Sequence, residues 1–265
     1  MRTADRRVVL GLHRSRHRRD ILTEALGLGV TAIDTASNYL HHRSHRALGE
    51  LAGDLLPRFS VSTKVGYFSD GHSLSPARLQ EAVETVVADL GREPDTILLH
   101  NPERSKPDTK ALVQACAVLA EAVEQGKCGS WGISSWDPRP LVGRDALRPD
   151  VLMVRSGLLV SGGVLAAAEA LVTAWRPTRV RGMSPFGGSA ADPVWQKVNP
   201  RVFLRSPDAT PVQAAFRVAF ALPKVEAVAV GTDDADHLRE LCDGLEHEID
   251  TDVVRAYRKL LRRSA

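Results

Sequence analysis

The chain has 265 residues, 43% hydrophobic and 25% charged, a globular composition with room for one large α/β domain or two small ones. Cys116, Cys128 and Cys242 are odd in number and lack a CxxC spacing, which argues against a disulfide framework or a zinc site. No apolar run approaches the roughly 20 residues of a membrane span, and Val8–Leu12 is too short for a signal segment, so a cytoplasmic protein away from membranes is expected.

In chain order, short β-rich apolar segments alternate with longer amphipathic ones. Predicted strands are Val8–Leu10, Ala32–Asp34, Ser60–Lys64, Thr96–His100, Ser130–Ser134, Val151–Val154, Val180–Met183 and Ala227–Val230. Predicted helices between them are Asp20–Leu28, Ser44–Leu55, Pro76–Leu90, Lys110–Gln125, Gly163–Ala174, Pro211–Ala221 and Asp236–Gly244. The segment Pro138–Leu147 is a poorer helix, cut by two prolines, and Thr251–Arg262 closes the chain. Ser75-Pro76 reads as a helix start, and Gly91 and Gly126 as helix stops. Strict alternation predicts a parallel sheet with helical crossovers, and eight repeats at this length favour a closed (β/α)8 TIM barrel spanning residues 1–265 as a single domain. No GxGxxG follows the first strand, which weakens an open dinucleotide-binding sheet.

Two basic runs stand out against a net charge of only +3: Arg14, Arg16, His17, Arg18 and Arg19, then Arg255, Arg258, Lys259, Arg262 and Arg263. No nucleic-acid motif accompanies them, and the terminal run fits a solvated helix face, so nucleic acid is not an expected partner.

In a barrel of this kind the chemistry sits at the C-terminal ends of the strands. The second, third and fourth strands end in Asp34, Lys64 and His100, three titratable groups brought to one side of the mouth. Lysine is scarce in this chain, and Lys64 ends the apolar run Phe59–Thr63; a buried lysine needs a partner, which Asp34 can supply. Taken alone, the pair fits a structural ion pair as well as a catalytic one. Tyr39, five residues past Asp34, adds a proton donor. His41, His42 and His45 form a histidine-rich loop beside it; His41 and His45 have i, i+4 spacing, but no third ligand is evident and no metal is expected.

Asp34-Thr35-Ala36-Ser37-Asn38-Tyr39, Ser62-Thr63-Lys64 and Leu98-Leu99-His100, in that order, resemble the catalytic tetrad of the aldo-keto reductase superfamily. The resemblance runs over nearly the whole chain. Gly132-Ile133-Ser134-Ser135 is similar to the family's segment after strand five. Met183-Ser184-Pro185-Phe186-Gly187 is similar to the segment after strand seven, and Val230-Gly231-Thr232 through His237-Leu238-Arg239-Glu240 to its cofactor-phosphate segment. The resemblance implies an NAD(P)H-dependent carbonyl reductase, NADP(H) by family default with NAD(H) possible, acting on a small-molecule ketone or aldehyde. It assigns Tyr39 as proton donor, Lys64 as the cation that lowers the Tyr39 pKa, Asp34 as the partner that keeps Lys64 charged, and His100 as the group that orients the carbonyl. It places Ser134, Ser135, Met153, Met183, Ser184, Pro185, Phe186, Gly231, Thr232, His237 and Glu240 along the cofactor.

Departures from the family pattern are concentrated at the cofactor. Met153 stands where a glutamine holds the nicotinamide carboxamide, Met183 where a tyrosine stacks, and Ser135 where an asparagine is usual. Asp233 and Asp234 occupy a region that often carries a cation for the 2′-phosphate, which disfavours NADPH. The N-terminal hairpin and the long C-terminal loop are short or missing, so a more open pocket and a bulky substrate, such as a glycosylated or polycyclic ketone, are expected. Two alternatives stay open: a barrel retained as a binding or regulatory subunit, and a non-redox acid/base enzyme using Tyr39 and Lys64.

Overall fold

The computed structural model describes residues 7–144, 147–206 and 208–263. Eight parallel strands close into a barrel: β1 (Arg7–Gly11), β2 (Ala32–Asp34), β3 (Ser60–Val65), then, after a small hairpin β4 (Tyr67–Phe68) and β5 (Gly71–His72), β6 (Thr96–His100), β7 (Trp131–Ser135), β8 (Val151–Arg155), β9 (Arg179–Met183) and β10 (Ala227–Val230). The barrel order is β1-β10-β9-β8-β7-β6-β3-β2, with β1 paired to both β2 and β10. This is the (β/α)8 barrel that the alternation predicts, and each of the eight predicted strands is present within a residue or so of its expected limits.

Helices α1 (Leu12–Ser15), α2 (Arg19–Gly27), α3 (Ser44–Ala52), α4 (Pro76–Leu90), α5 (Thr109–Glu124), α6 (Gly162–Trp175), α7 (Pro211–Ala219), α8 (Ala235–Asp243) and α9 (Thr251–Arg263) lie around the sheet. The two-residue period of the strands divides the core. On β3, Val61 and Val65 face the helical layer with Ile33, Ile97, Leu99 and Leu48. Inside the barrel, Val9, Leu98, Val151, Met153, Ala227 and Ala229 form a separate packed cluster. Ser62 and Lys64, on the opposite face of β3 from Val61 and Val65, therefore point inward.

One expectation needs correction: the Pro138–Leu147 segment forms only a 3-10 turn at Arg139–Leu141, because Pro138 and Pro140 remove donors; residues 145 and 146 of it lie outside the described residues. Ser75-Pro76 does open α4, with Ser75 at the N-cap and Pro76 at the first helical position, though the Ser75 side chain makes no capping hydrogen bond. The β4–β5 hairpin was not expected, since two-residue strands carry too little alternation to detect. The terminal basic run has a structural use: α9 packs Val254, Tyr257 and Leu261 against the body of the barrel, while Arg258 pairs with Glu169 and Arg255 with Asp252.

Candidate active site

The strand ends build the site. Parallel register sets Asp34 beside Ser62, Lys64 beside Leu98 and His100 beside Ser134, so β2, β3 and β6 deliver Asp34, Lys64 and His100 to one side of the mouth. Lys64 is almost completely buried and donates from Nζ to Asp34 Oδ2 and, at 2.9 Å, to the Thr35 carbonyl. The other Asp34 oxygen accepts from Ser62 Oγ at 3.0 Å, so both carboxylate oxygens are satisfied. Burial is the largest influence on Lys64 and opposes its charge, but Asp34 and then Tyr39 outweigh it and hold the ammonium above its ordinary pKa.

Tyr39 reaches the same point from the turn after β2. Lys64 Nζ stands 5.3 Å from the centre of its ring, and the His100 ring lies edge-on to it at 6.4 Å. Burial raises the Tyr39 pKa above its ordinary value; Lys64 pulls it down, but by less. The expected net lowering by Lys64 is thus not what the environment produces: the cation acts in the expected direction, and desolvation wins. His100 is buried and pushed well below the usual histidine range, first by desolvation and then by Lys64, His72 and His13. It is a neutral imidazole, and its buried Nδ1 has no hydrogen-bond partner among the described residues.

A second layer fixes His100. His72 Nε2 donates to the His100 carbonyl at 2.8 Å, which makes His72 Nδ1 the acceptor from Ser105 Oγ at 2.6 Å. The β4–β5 hairpin exists to bring His72 there. It starts just after Gly66, whose φ of 131° would strain any side chain and where a Cβ would press on His72 Nε2 at 3.3 Å.

Asp34, Tyr39, Lys64 and His100 line a cavity of about 450 Å³ together with His13, Arg14, Asn38, Tyr67, Asn101, Trp136, the Met183–Phe186 turn, Gly188 and Gly231. Among the residues assigned by resemblance to a cofactor, Met183, Ser184, Pro185, Phe186 and Gly231 are therefore at the cavity. Ser134 lies just behind, its Oγ 3.8 Å from Met183 Sδ. Ser135 is fully buried, and Met153 packs into the barrel interior below the mouth rather than lining it. Thr232 is buried and its Oγ1 accepts from Asp234 N at 3.1 Å. His237 is exposed on α8, and Glu240 accepts from Thr210 Oγ1 at 2.5 Å, turned toward α7.

The two aspartates of that loop are engaged. Asp234 caps α8, accepting from Asp236 N at 2.8 Å and His237 N at 3.2 Å, and Asp233 lies 3.8 Å from Arg16. The histidine-rich loop does not act as one group: His41 is exposed, whereas His45 is buried with Nε2 on Thr63 Oγ1 at 2.6 Å.

His13, Arg14, Tyr67, Asn101 and Trp136 were missed in the sequence. Each lies within three residues of a strand end, so applying the strand-end rule to the first and fifth strands, and past the last strand residue, would have found them.

A nicotinamide dinucleotide suits this rim. Gly231 packs so closely on Gly11 that a Cβ would come within 3.1 Å of the Gly11 carbonyl and of Arg14 Cβ, which keeps a flat backbone face at the cavity. His100 and Asn38, which line the cavity, each hold a buried polar atom, Nδ1 and Oδ1, without a partner among the described residues.

Comparison with known proteins agrees with this geometry. The aldo/keto reductase family model matches residues 13–143. An uncharacterized oxidoreductase of Mycobacterium tuberculosis is 25% identical over 279 aligned positions, covering 91% of this chain and 82% of that protein. A protein of Schizosaccharomyces pombe described as a voltage-gated potassium channel subunit beta is 26% identical over 130 residues, 45% of this chain; the chain spans only 36% of that relative's length. The structure of an aldo-keto reductase from Bacillus halodurans in its holo form superposes with a TM-score of 0.77 at 20% identity, covering 97% of this chain and 92% of that one, a likeness of fold. With the barrel closed, the stretch that the aldo/keto reductase family model matches, about half of the chain, holds Asp34, Tyr39, Lys64 and His100, and the chain as a whole shares the fold of solved aldo-keto reductases.

Proposed function

We propose that this protein is an oxidoreductase that reduces a ketone or aldehyde to an alcohol with hydride from NADPH or NADH, Tyr39 giving the proton. The observation that carries the reading is the meeting of Tyr39, Lys64, Asp34 and His100 on one cavity whose far wall is the Met183–Phe186 turn and Gly231. A nicotinamide cofactor bound along that wall supplies the hydride.

The residues divide the remaining work. Charge builds on the carbonyl oxygen as its carbon is reduced, so that oxygen needs donors placed in advance. The Tyr39 phenol, protonated at neutral pH as phenols ordinarily are and pushed further that way by burial, is in the form a donor requires. Once the proton leaves, the phenolate faces the buried Lys64 ammonium, an opposite charge that stabilises it. Asp34 keeps that ammonium charged in a buried position. His100, neutral, offers an imidazole N–H to the carbonyl oxygen and orients it without competing for the proton. The exposed Trp136 ring at the rim supports a bulky, partly apolar substrate.

One observation favours a second reading. Met153 sits in the barrel interior and Met183 in place of a stacking ring, so fewer polar groups grip a nicotinamide, and one relative is described as a channel subunit. On that reading the barrel has weakened cofactor binding, has lost hydride transfer and serves as a binding or regulatory subunit. Incubating the purified protein with NADPH or NADH and a panel of aldehydes, aromatic ketones and 1,2-dicarbonyls separates the two. Reductase activity oxidises the cofactor with at least one carbonyl; no oxidation across the panel favours the subunit, and binding of neither cofactor overturns the reductase.

A further inference from the structure

The arginine run Arg14–Arg19 reads in the sequence as solvated charge, and the structure separates its members. Arg18 pairs with Asp20, Arg19 with Asp54 and Arg16 with Asp233. Arg14 is the one arginine of the run with no carboxylate partner among the described residues, and it is the one that lines the active-site cavity. It stands on the short α1, directly after His13, whose ring meets the edge of Tyr39 at 4.8 Å, and its Cβ lies against Gly231.

We propose that Arg14 is the guanidinium that binds the diphosphate of the nicotinamide dinucleotide, replacing from the β1–α2 connection the cation that the loop after β10 lacks. The proposal rests on the nicotinamide reading given above. On the loop after β10 the charged groups are Asp233, Asp234, Asp236, His237 and, one turn into α8, Arg239. Arg239 is tied to Asp236 at 2.8 Å and lies 3.9 Å from Glu24, and the first N–H groups of α8 are taken by Asp234. That leaves this loop with no free cation among the described residues. Across Gly231, Arg14 offers a planar fork of donors suited to two phosphate oxygens at once.

Position decides which phosphate. The hydride carbon must reach the carbonyl held by Tyr39 and His100, so the nicotinamide occupies the inner end of the cavity. One ribose outward comes the diphosphate; the 2′-phosphate of NADPH lies a further phosphate and ribose away. Arg14, next to the residue that touches Tyr39, is at the nearer station, while Arg16, which is largely exposed and paired to Asp233, is further out. A diphosphate is common to NADPH and NADH, so Arg14 raises affinity for both without choosing between them.

The test is calorimetric titration of NADPH and of NADH into the wild-type protein, Arg14→Ala and Arg14→Lys, with thermal melts to confirm folding. Loss of a charge-assisted pair of hydrogen bonds is expected to weaken both cofactors by roughly tenfold to a hundredfold in Arg14→Ala. Arg14→Lys, which keeps charge and loses the fork, falls between. Weakening of NADPH alone places Arg14 at the 2′-phosphate and overturns the assignment. Unchanged binding of both cofactors also overturns it, including the case in which only KM for an anionic carbonyl substrate rises, which makes Arg14 a substrate residue. If wild type binds neither cofactor, the nicotinamide reading itself fails, and this inference with it.

Discussion

The Lys64 ammonium and the Asp34 carboxylate form a buried pair whose every oxygen is accounted for: Lys64 donates to Oδ2 and Ser62 to Oδ1. Removing one partner leaves a buried unpaired charge, which typically costs about 3–5 kcal/mol. Lys64→Met should therefore destabilise the fold strongly in chemical denaturation. The double variant Asp34→Asn with Lys64→Met removes both charges and is expected to recover much of that stability. If Lys64 is part of the chemistry, the folded double variant stays inactive with cofactor still bound; near-normal turnover assigns the pair to the scaffold alone.

The buried histidines make stability fall in mild acid. His17, fully buried with Nε2 on Ser44 Oγ, and His45, on Thr63, are both pushed down to about 4 by desolvation. The unfolded chain binds their protons near pH 6.5 and the folded one only near pH 4. Between those values the unfolded state holds more protons, so stability present above the upper value is lost as pH falls toward the lower. Calorimetric Tm measured from neutral pH to pH about 4.5 should drop, and less steeply in a His17→Gln, His45→Gln variant. Identical slopes in the two proteins would show that these rings are not neutral in the fold.

Gly66 tests the hairpin. A side chain at its φ of 131° is strained, and a Cβ meets His72 Nε2 at 3.3 Å. Gly66→Ala should cost on the order of 1–3 kcal/mol and loosen the hold of His72 on the His100 carbonyl, lowering kcat more than it raises KM. Wild-type stability and kcat in this variant would mean that the hairpin does not set His100.

Much of this was legible in the sequence because each signal was local. Asp34, Lys64 and His100 each end a strand of ordinary apolar pattern, and parallel register then forces them together. Arg14 and Trp136 lie just past strand ends, where no periodicity marks them, so only the strand-end rule carried beyond the last strand residue reaches them. The closure of β1 on β10, which sets Arg14 against Gly231, joins segments more than 200 positions apart. The net direction of the Tyr39 pKa also escaped, since pairwise attraction to Lys64 is visible from the motif whereas the opposing burial is a property of the finished cavity.

Tyr39→Phe removes the hydroxyl proposed as proton donor while keeping the ring that packs beside His13 and His100. The fold and cofactor affinity should be retained, and kcat should fall by about 10²–10⁴. The same variant supplies the most direct test of the whole account. Reduced cofactor carrying deuterium at the nicotinamide C4, on the face the enzyme uses, is incubated with a carbonyl substrate, and the alcohol is analysed by mass spectrometry. Hydride transfer predicts deuterium on the carbinol carbon with the wild-type protein, and at least a hundredfold slower labelling with Tyr39→Phe. Alcohol formed without the label, no transfer from cofactor that is bound, or labelling by Tyr39→Phe at the wild-type rate would contradict it.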